Sequence, residues 1–442
     1  MTRFRTIAAA CVSLVLGALP AWAEVEIQEV TSPKGLTAWL VEEHSIPFTA
    51  LEIRFRGGTS LDAPGKRGAT YLMTALLEEG AADLDARAFA RAQESLAASF
   101  GYDASDDSVS VSARFLSENR EEALALLRTT LMEPRFDQDA IDRVRAQVIS
   151  GLLQSAKDPG DIAGAAFSKM AFGDHPYGTD GEGTVESVAS LTRDDIIAAK
   201  EAVFARDRIY IGAVGDITPE ELGKLVDDLL ADLPETGAPM PPKADVTITG
   251  GETVIPFATP QSVALFGQKG IERDDPDFFA AYVVNQVLGA GGFESRLMTE
   301  VREKRGLTYG VYSYLNPKDL GAVYMGSVSS SNDRIAEAVS VIRDEWQKLA
   351  ADGVTQKELD DAKTYLTGAY PLRFDGNGQI ASIMVGMQMQ GLPIDYIATR
   401  NDKVNAVTLA EANRVAAELL DPENLHFIVV GQPEGIMGEA AN

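Results

Sequence analysis

The sequence predicts an α+β protein made of two homologous halves, each an antiparallel sheet covered by helices on one side. Three observations carry this. Residues 191–215, LTRDDIIAAKEAVFARDRIYIGAVG, match 407–431, VTLAEANRVAAELLDPENLHFIVVG, without a gap, so that Leu191 meets Val407, Thr192 meets Thr408 and Gly215 meets Gly431. Runs that alternate in polarity, such as SVSVSARF (108–115) and AVYMGSVS (322–329), are mixed with stretches whose apolar residues return every three or four positions. Between the copies lies LPETGAPMPPKAD (233–245), whose four prolines and missing apolar period describe an extended, semi-rigid connector.

Two further pairs keep the same order. EEALALLR (121–128) resembles AEAVSVIR (336–343), and DQDAIDRVRAQVISG (137–151) resembles TQKELDDAKTYLTG (355–368). Persistence of order over this span identifies a duplication rather than chance helix likeness.

In chain order, residues 1–23 read as an export signal: Arg3 and Arg5, an apolar run from Ile7 to Leu19, then Ala21, Trp22 and Ala23 as a small-residue cleavage site. The run is too short to span a bilayer. Glu24, not a cysteine, follows Ala23, so no lipid attachment is expected there. Cys11 is the only cysteine and falls inside this segment, which leaves the exported chain without a thiol. The expected location is the periplasm. The expected domains are 24–233 and 246–442 joined by a linker at 234–245, with the boundary near Ala238. Each is about 200 residues, an ordinary domain size. SVSVSARF is expected as an internal strand, an edge strand being the alternative, and 191–205 as a helix capped by Thr192.

Lys and Arg number 39 against 66 Asp and Glu, a net charge of −27. A surface of that sign repels nucleic acid and anionic lipid, so neither a nucleic-acid partner nor a membrane span is expected.

The stretch 289–315, GAGGFESRLMTEVREKRGLTYGVYSYL, sets Arg302 and Tyr309 on either side of a helix stop. Leu297, Met298 and Val301 recur at helical spacing, Gly306 supplies the left-handed terminator, and Tyr309 to Tyr314 favour a strand. A guanidinium and a phenol at one helix end suit hydrogen bonding to a carbonyl or an oxyanion. Taken alone, the same residues also describe a plain charged helix, with Arg302 paired to Glu300 or Glu303 and Tyr309 in a strand core. Gly289, Gly291 and Gly292 let the preceding loop approach bound backbone, or simply make a turn.

The run SRLMTEVREKRGLTYGV resembles the hallmark of the second half of M16 peptidases (pitrilysin, insulinase, mitochondrial processing peptidase). The likeness extends over essentially the whole chain after the export signal, including HPYG at His175 to Gly178 and PFTALEIRFRGGTS followed by KRGATYLMTALLEEG. It implies the M16 fold, of the LuxS/MPP-like metallohydrolase type, and gives Arg302 and Tyr309 a substrate-binding role beside a zinc site. In active members the helix resembling GATYLMTALLEEG carries HxxEH, with a further Glu ligand downstream. Aligning Gly68 sets Tyr71, Thr74 and Ala75 at the His, Glu and His positions, and the distal Glu near Ser150 to Leu152, where no acid stands. Zinc takes imidazole, thiolate or carboxylate ligands, and an open site also needs a base for its water. No metal site is therefore expected here. His44, His175 and His426 occupy separate segments and read as structural, and Glu78 with Glu79 reads as a solvated helix-end pair.

The resulting expectation is a non-catalytic subunit, inactive alone, of a heteromeric periplasmic zinc peptidase. A partner chain bearing HxxEH would hold the zinc, while this chain holds no cofactor and brings Arg302 and Tyr309 to a peptide substrate. The alternative is a catalytically inactive peptide-binding or scaffold homodimer.

Overall fold

The computed structural model describes residues 26–436 and the backbone of 439–440, so the expected export signal lies outside the described residues. The N-terminal sheet contains β1 (Gln28–Thr31), β2 (Thr37–Glu42), β3 (Phe48–Arg56), β4 (Ser99–Ala104), β5 (Ser108–Leu116) and β6 (Ile209–Gly215), in the order β1-β2-β6-β3-β5-β4. The C-terminal sheet contains β7 (Gly251–Pro256), β8 (Gln261–Lys269), β9 (Val311–Lys318), β10 (Gly321–Ser331), β11 (His426–Gly431) and β12 (Glu439–Ala440), in the order β9-β10-β8-β11-β7-β12. Taken from opposite ends, the two orders coincide over five strands, β2-β6-β3-β5-β4 matching β7-β11-β8-β10-β9, and differ at the sixth, where β1 precedes β2 in the chain and runs antiparallel to it while β12 comes last and runs parallel to β7. β5 is internal, between β3 and β4, as its alternation suggested.

Most neighbours are antiparallel, but each sheet also holds a parallel pair absent from the expectation. Trp39 of β2 lies opposite Gly212 of β6, and Thr253 of β7 opposite Ile428 of β11. β12 also joins β7 in parallel. A parallel neighbour requires a long crossover, and several helices separate these strands in the chain.

The helices that place the sites are α1 (Ala69–Ala75), α2 (Gln138–Ser155), α3 (Pro159–Phe172), α4 (Arg193–Val203), α5 (Ile335–Asp352), α6 (Gln356–Ala369), α7 (Asn377–Met389) and α8 (Leu409–Leu419). The self-match has a local cause. Thr192 and Thr408 both cap their helices in reciprocal boxes, with Asp195 and Glu411 returning the bond. Gly215 and Gly431 end the following strands at φ of 140° and 153°. A Cβ on either would come within 2.2 Å of Phe48 O or Ser262 Oγ, so both repeats need glycine there.

Each sheet buries one face under helices of its own half. Leu51, Ile53 and Phe55 of β3 meet Leu72 and Leu76, while Phe266 of β8 meets Ile342 and Trp346 of α5. The opposite face is also covered, by a helix from the other half. Ala163, Phe167 and Phe172 of α3 cross to the C-terminal sheet and pack with Val323, Met325, Ile428 and Val430. Ala381, Met384 and Met387 of α7 cross to the N-terminal sheet and pack with Trp39 and Val214. Glycines make room for both. A Cβ at Gly267 would stand 2.7 Å from Phe167 Cζ, and one at Gly212 would stand 2.9 Å from Ala381 O. Burying each large apolar side chain in these seams stabilises by about 1.5–3 kcal/mol.

A polar junction completes the union where the β4–β5 and β9–β10 hairpins meet at their tips. Lys318 pairs with Asp106 and sits 3.7 Å from the Tyr177 ring centroid. Asp107 accepts from the Tyr177 phenol and from Asp319 N at 3.2 Å, and Leu320 N donates to the same phenol oxygen at 3.0 Å. Residues 234–250 form no helix or strand, yet Ala238 N donates to Ala202 O at 3.0 Å and Ala244 N to Leu320 O at 2.7 Å. No helix among the described residues is long and apolar enough to cross a membrane.

Candidate functional site

Asp62 builds the start of α1, its two carboxylate oxygens accepting from Gly68 N and Thr70 N at 2.8 Å each. Arg67 holds that start against the HPYG loop and the β4–β5 tip, donating to Pro176 O at 3.0 Å, Asp180 O at 2.9 Å and Asp106 Oδ1 at 3.1 Å. The start of the helix that carries the motif positions is thus held from several sides, but the side chains at those positions are not ligands. Tyr71 is partly buried, and burial followed by the neighbouring Glu182 carboxylate pushes its phenol up from the ordinary value. Thr74 is buried, with its hydroxyl donating to Thr70 O at 2.8 Å within the helix. Ala75 has no donor atom. α2 packs against α1, and its Ser150, Gly151 and Leu152 offer no carboxylate. These residues do not fit zinc, by ligand chemistry.

Glu79 pairs with Arg143, while Glu78 is exposed. Each histidine has its own protein partners. His44 lies exposed between Asp216 at 2.8 Å and Glu42 at 3.2 Å, and the Asp216 bond raises its pKa most. His175 accepts from Tyr177 N at 3.2 Å and donates to Pro242 O at 3.0 Å, with burial favouring the neutral ring. His426 lies between Thr249 O at 2.8 Å and the Thr253 hydroxyl at 2.9 Å.

In the second half, Leu297, Met298 and Val301 are buried as their spacing suggested. The helix they belong to is widened, however. Met298–Glu303 is a π-turn, with Lys304 N donating to Thr299 O at 3.0 Å, and Gln286–Ala290 is another. Such widened turns are frequent at functional sites. Gly306 ends the segment at φ 61°, where Gly306 N and Leu307 N turn back to Arg302 O and Val301 O at 2.7 and 3.0 Å. Gly289 serves packing within the chain: its Cβ would fall 2.3 Å from Ser313 Oγ of β9. Gly292, at φ 55°, makes the turn that follows.

Glu300 binds Lys304 at 2.6 Å and Arg305 at 2.8 Å, and these two bonds hold its carboxyl below the usual range. Arg302 is thereby left without an ion pair among the described residues, and its guanidinium lies 4.5 Å over the Phe293 ring. Tyr309 is 88% exposed, so it is not a strand core residue. No hydrogen bond, ion pair or ring contact among the described residues joins Arg302 to Tyr309, or either to Tyr71, Thr74 or Ala75.

Sequence reasoning missed Phe293 and the row beside it. Tyr312 and Tyr314 project from the edge strand β9, both exposed, with rings 6.1 Å apart and nearly parallel. The alternation Val311-Tyr312-Ser313-Tyr314 carried that signal, because a period of two places both tyrosines on one face. The loop is fastened from behind by Arg296, which grips Glu358 of α6 at 2.6 and 2.8 Å.

Two interlocked repeats, a first-half motif helix whose Tyr71, Thr74 and Ala75 are not zinc ligands, and a half-buried Arg302 with an exposed Tyr309 in the second half define a metallopeptidase-like protein with no metal-binding cluster among the described residues. The insulinase (peptidase family M16) profile matches residues 38–184, and the peptidase M16 inactive domain profile matches 190–366. The crystal structure of a peptidase M16 inactive domain from Pseudomonas fluorescens is 30% identical, superposes with a TM-score of 0.86, and covers 94% of this chain and 100% of its own. The chain belongs to the M16 peptidase family. The Helicobacter pylori protein named non-peptidase homolog YmxG is 28% identical over 390 residues, 88% of this chain and 90% of that protein. An uncharacterized zinc protease of Streptomyces coelicolor is 26% identical over 89% of this chain and 87% of its own length. A Helicobacter pylori protease structure, 17% identical with a TM-score of 0.83 over 92% of this chain and 100% of its own, shares the fold.

Proposed function

We propose that this chain is the non-catalytic, substrate-contacting subunit of a periplasmic M16 peptidase whose zinc and HxxEH motif belong to a partner chain. The observation that carries the reading is the uncommitted state of Arg302 and Tyr309, one without a carboxylate partner among the described residues and the other exposed, in a chain whose motif helix has no ligands. The relative named a non-peptidase homolog and the inactive-domain structure support it.

In this reading Arg302 donates to a substrate carbonyl or terminal carboxylate. The Tyr309 phenol donates a hydrogen bond to the oxyanion that forms when the scissile carbonyl is attacked. A well-placed donor of that kind stabilises the transition state by about 2.7–4 kcal/mol. The partner supplies water activation, and residues 1–23 supply the export signal. The test combines this chain with its HxxEH-bearing sibling and measures peptide turnover. Tyr309→Phe is expected to lower kcat by about 10²–10³. Turnover indifferent to both Tyr309→Phe and Arg302→Ala rejects the role.

A second reading, an inactive peptide-binding homodimer, draws on β9 itself. It is an edge strand that displays Tyr312 and Tyr314, and edges accept extended peptides through backbone bonds. Affinity capture from periplasm separates the two, since only the first requires a stoichiometric HxxEH-bearing chain.

A further inference from the structure

Several buried or half-buried arginines of this chain meet carboxylates: Arg67 meets Asp106 at 3.1 Å, Arg296 meets Glu358 at 2.6 Å and Arg208 meets Asp207 at 2.9 Å. One cavity breaks that pattern. It measures about 540 Å³, lies between the two halves, and is lined by Arg54, Arg273, Arg373 and Arg400 with no Asp or Glu, in a protein that has 66 acidic residues. Arg54 already pairs with Glu52 at 3.2 Å. Arg273, Arg373 and Arg400 pair with no carboxylate among the described residues.

The positions of Arg400 and Arg273 are built rather than incidental. Arg400 is 4% exposed; one nitrogen donates to Leu366 O at 2.8 Å and to Asn401 Oδ1 at 3.0 Å, and its plane lies 4.5 Å from the Tyr370 ring centre. Arg273 donates to the Tyr396 hydroxyl at 2.8 Å and lies 4.3 Å from the Phe278 ring centre. A guanidinium has five N–H donors, so both keep donors that meet no protein acceptor among the described residues. All three cations act on the same phenol. Burial and Tyr396 push Tyr370 up to about 12, against the pull of Arg400, Arg373 and Arg273. Arg400 is buried, Arg273 half-buried and Arg373 exposed at the rim; gathering these cations without a counterion is costly, and an oxyanion would relieve both their repulsion and their unused donors.

We propose that this cavity binds a small organic anion, a carboxylate or phosphate head joined to a flat apolar body. Arg273, Arg373 and Arg400 receive the head, and Phe278 and Tyr396 flank the body. The site shares no lining residue with the Arg302 and Tyr309 region and does not depend on any catalytic partner. Arg54 of β3 lines the same cavity, so the site lies at the seam between the halves.

Calorimetric titration of the whole exported chain with benzoate, phenyl phosphate and the neutral control phenol tests this. Saturable one-to-one binding of benzoate, phenyl phosphate or both is expected, with phenol at least tenfold weaker; the anion that binds identifies the head group. Arg273→Gln and Arg373→Gln are each expected to weaken binding at least tenfold. Arg373 is exposed and carries the test should Arg273→Gln fail to fold. Failure of both anions to saturate, equal affinity for phenol, or an unchanged Kd in Arg373→Gln overturns the proposal.

Discussion

Glu300 engages Lys304 and Arg305 and leaves Arg302 to the face of Phe293, a division that is testable without any partner. Arg302→Ala is expected to lower unfolding free energy by no more than about 1 kcal/mol, the worth of its contact with the Phe293 ring. Urea denaturation measures this, and a loss above about 1 kcal/mol would make the arginine structural instead. Glu358 should behave in the opposite way. Burial works to raise its pKa, but hydrogen bonds from Arg296 and Thr355 outweigh it and bring the carboxyl from 4.5 down to about 2. A depressed carboxylate pKa contributes stability that is whole above about 4.5 and is lost as pH falls through about 2. Glu358→Gln is expected to cost about 1.5–3 kcal/mol at neutral pH. The gap between wild type and variant in urea midpoints should then narrow on acidification below pH 4; a gap independent of pH would contradict the assignment.

The elements that sequence made legible are those whose signals are local. Thr192 with Asp195 and Thr408 with Glu411 mark helix starts within four residues, and Gly215 and Gly431 mark strand ends. Thr192→Ala and Thr408→Ala are each expected to lower stability by about 1 kcal/mol, and a difference between them beyond experimental error would show that the two repeats load their caps unequally. Partners distant in sequence were not legible. The period of α3 indicates a helix with buried residues but not that Phe167 settles against Gly267 of the other repeat. The apolar runs of β2 and β6 indicate buried strands, not the parallel pairing of Trp39 with Gly212. At the candidate site, the Arg302 and Tyr309 motif stood out in the sequence. The widened turn at Met298–Glu303 did not, because it arises from a hydrogen-bond shift that composition does not encode. Phe167→Ala is expected to cost about 3–5 kcal/mol, although Phe167 belongs to the N-terminal half and its bed to the other. A small loss on chemical denaturation would mean that α3 is only loosely seated.

Crossed helices, together with the Asp106, Asp107, Tyr177 and Lys318 junction, bind the two repeats into one cooperative body. A single calorimetric unfolding transition is expected, with 24–237 and 238–442 each unable to fold when expressed separately. Two resolved transitions, or one soluble half with native-like near-ultraviolet dichroism, would show the repeats to be autonomous. A solitary repeat would leave the rear of its sheet, Trp39 and Val214 in one case and Ile428 and Val430 in the other, open to water. Such a unit could close only by trading helices with a twin, an equilibrium that dilution would undo. Tethering the twins through 234–250 makes that encounter intramolecular, so closure is independent of how much protein the cell makes.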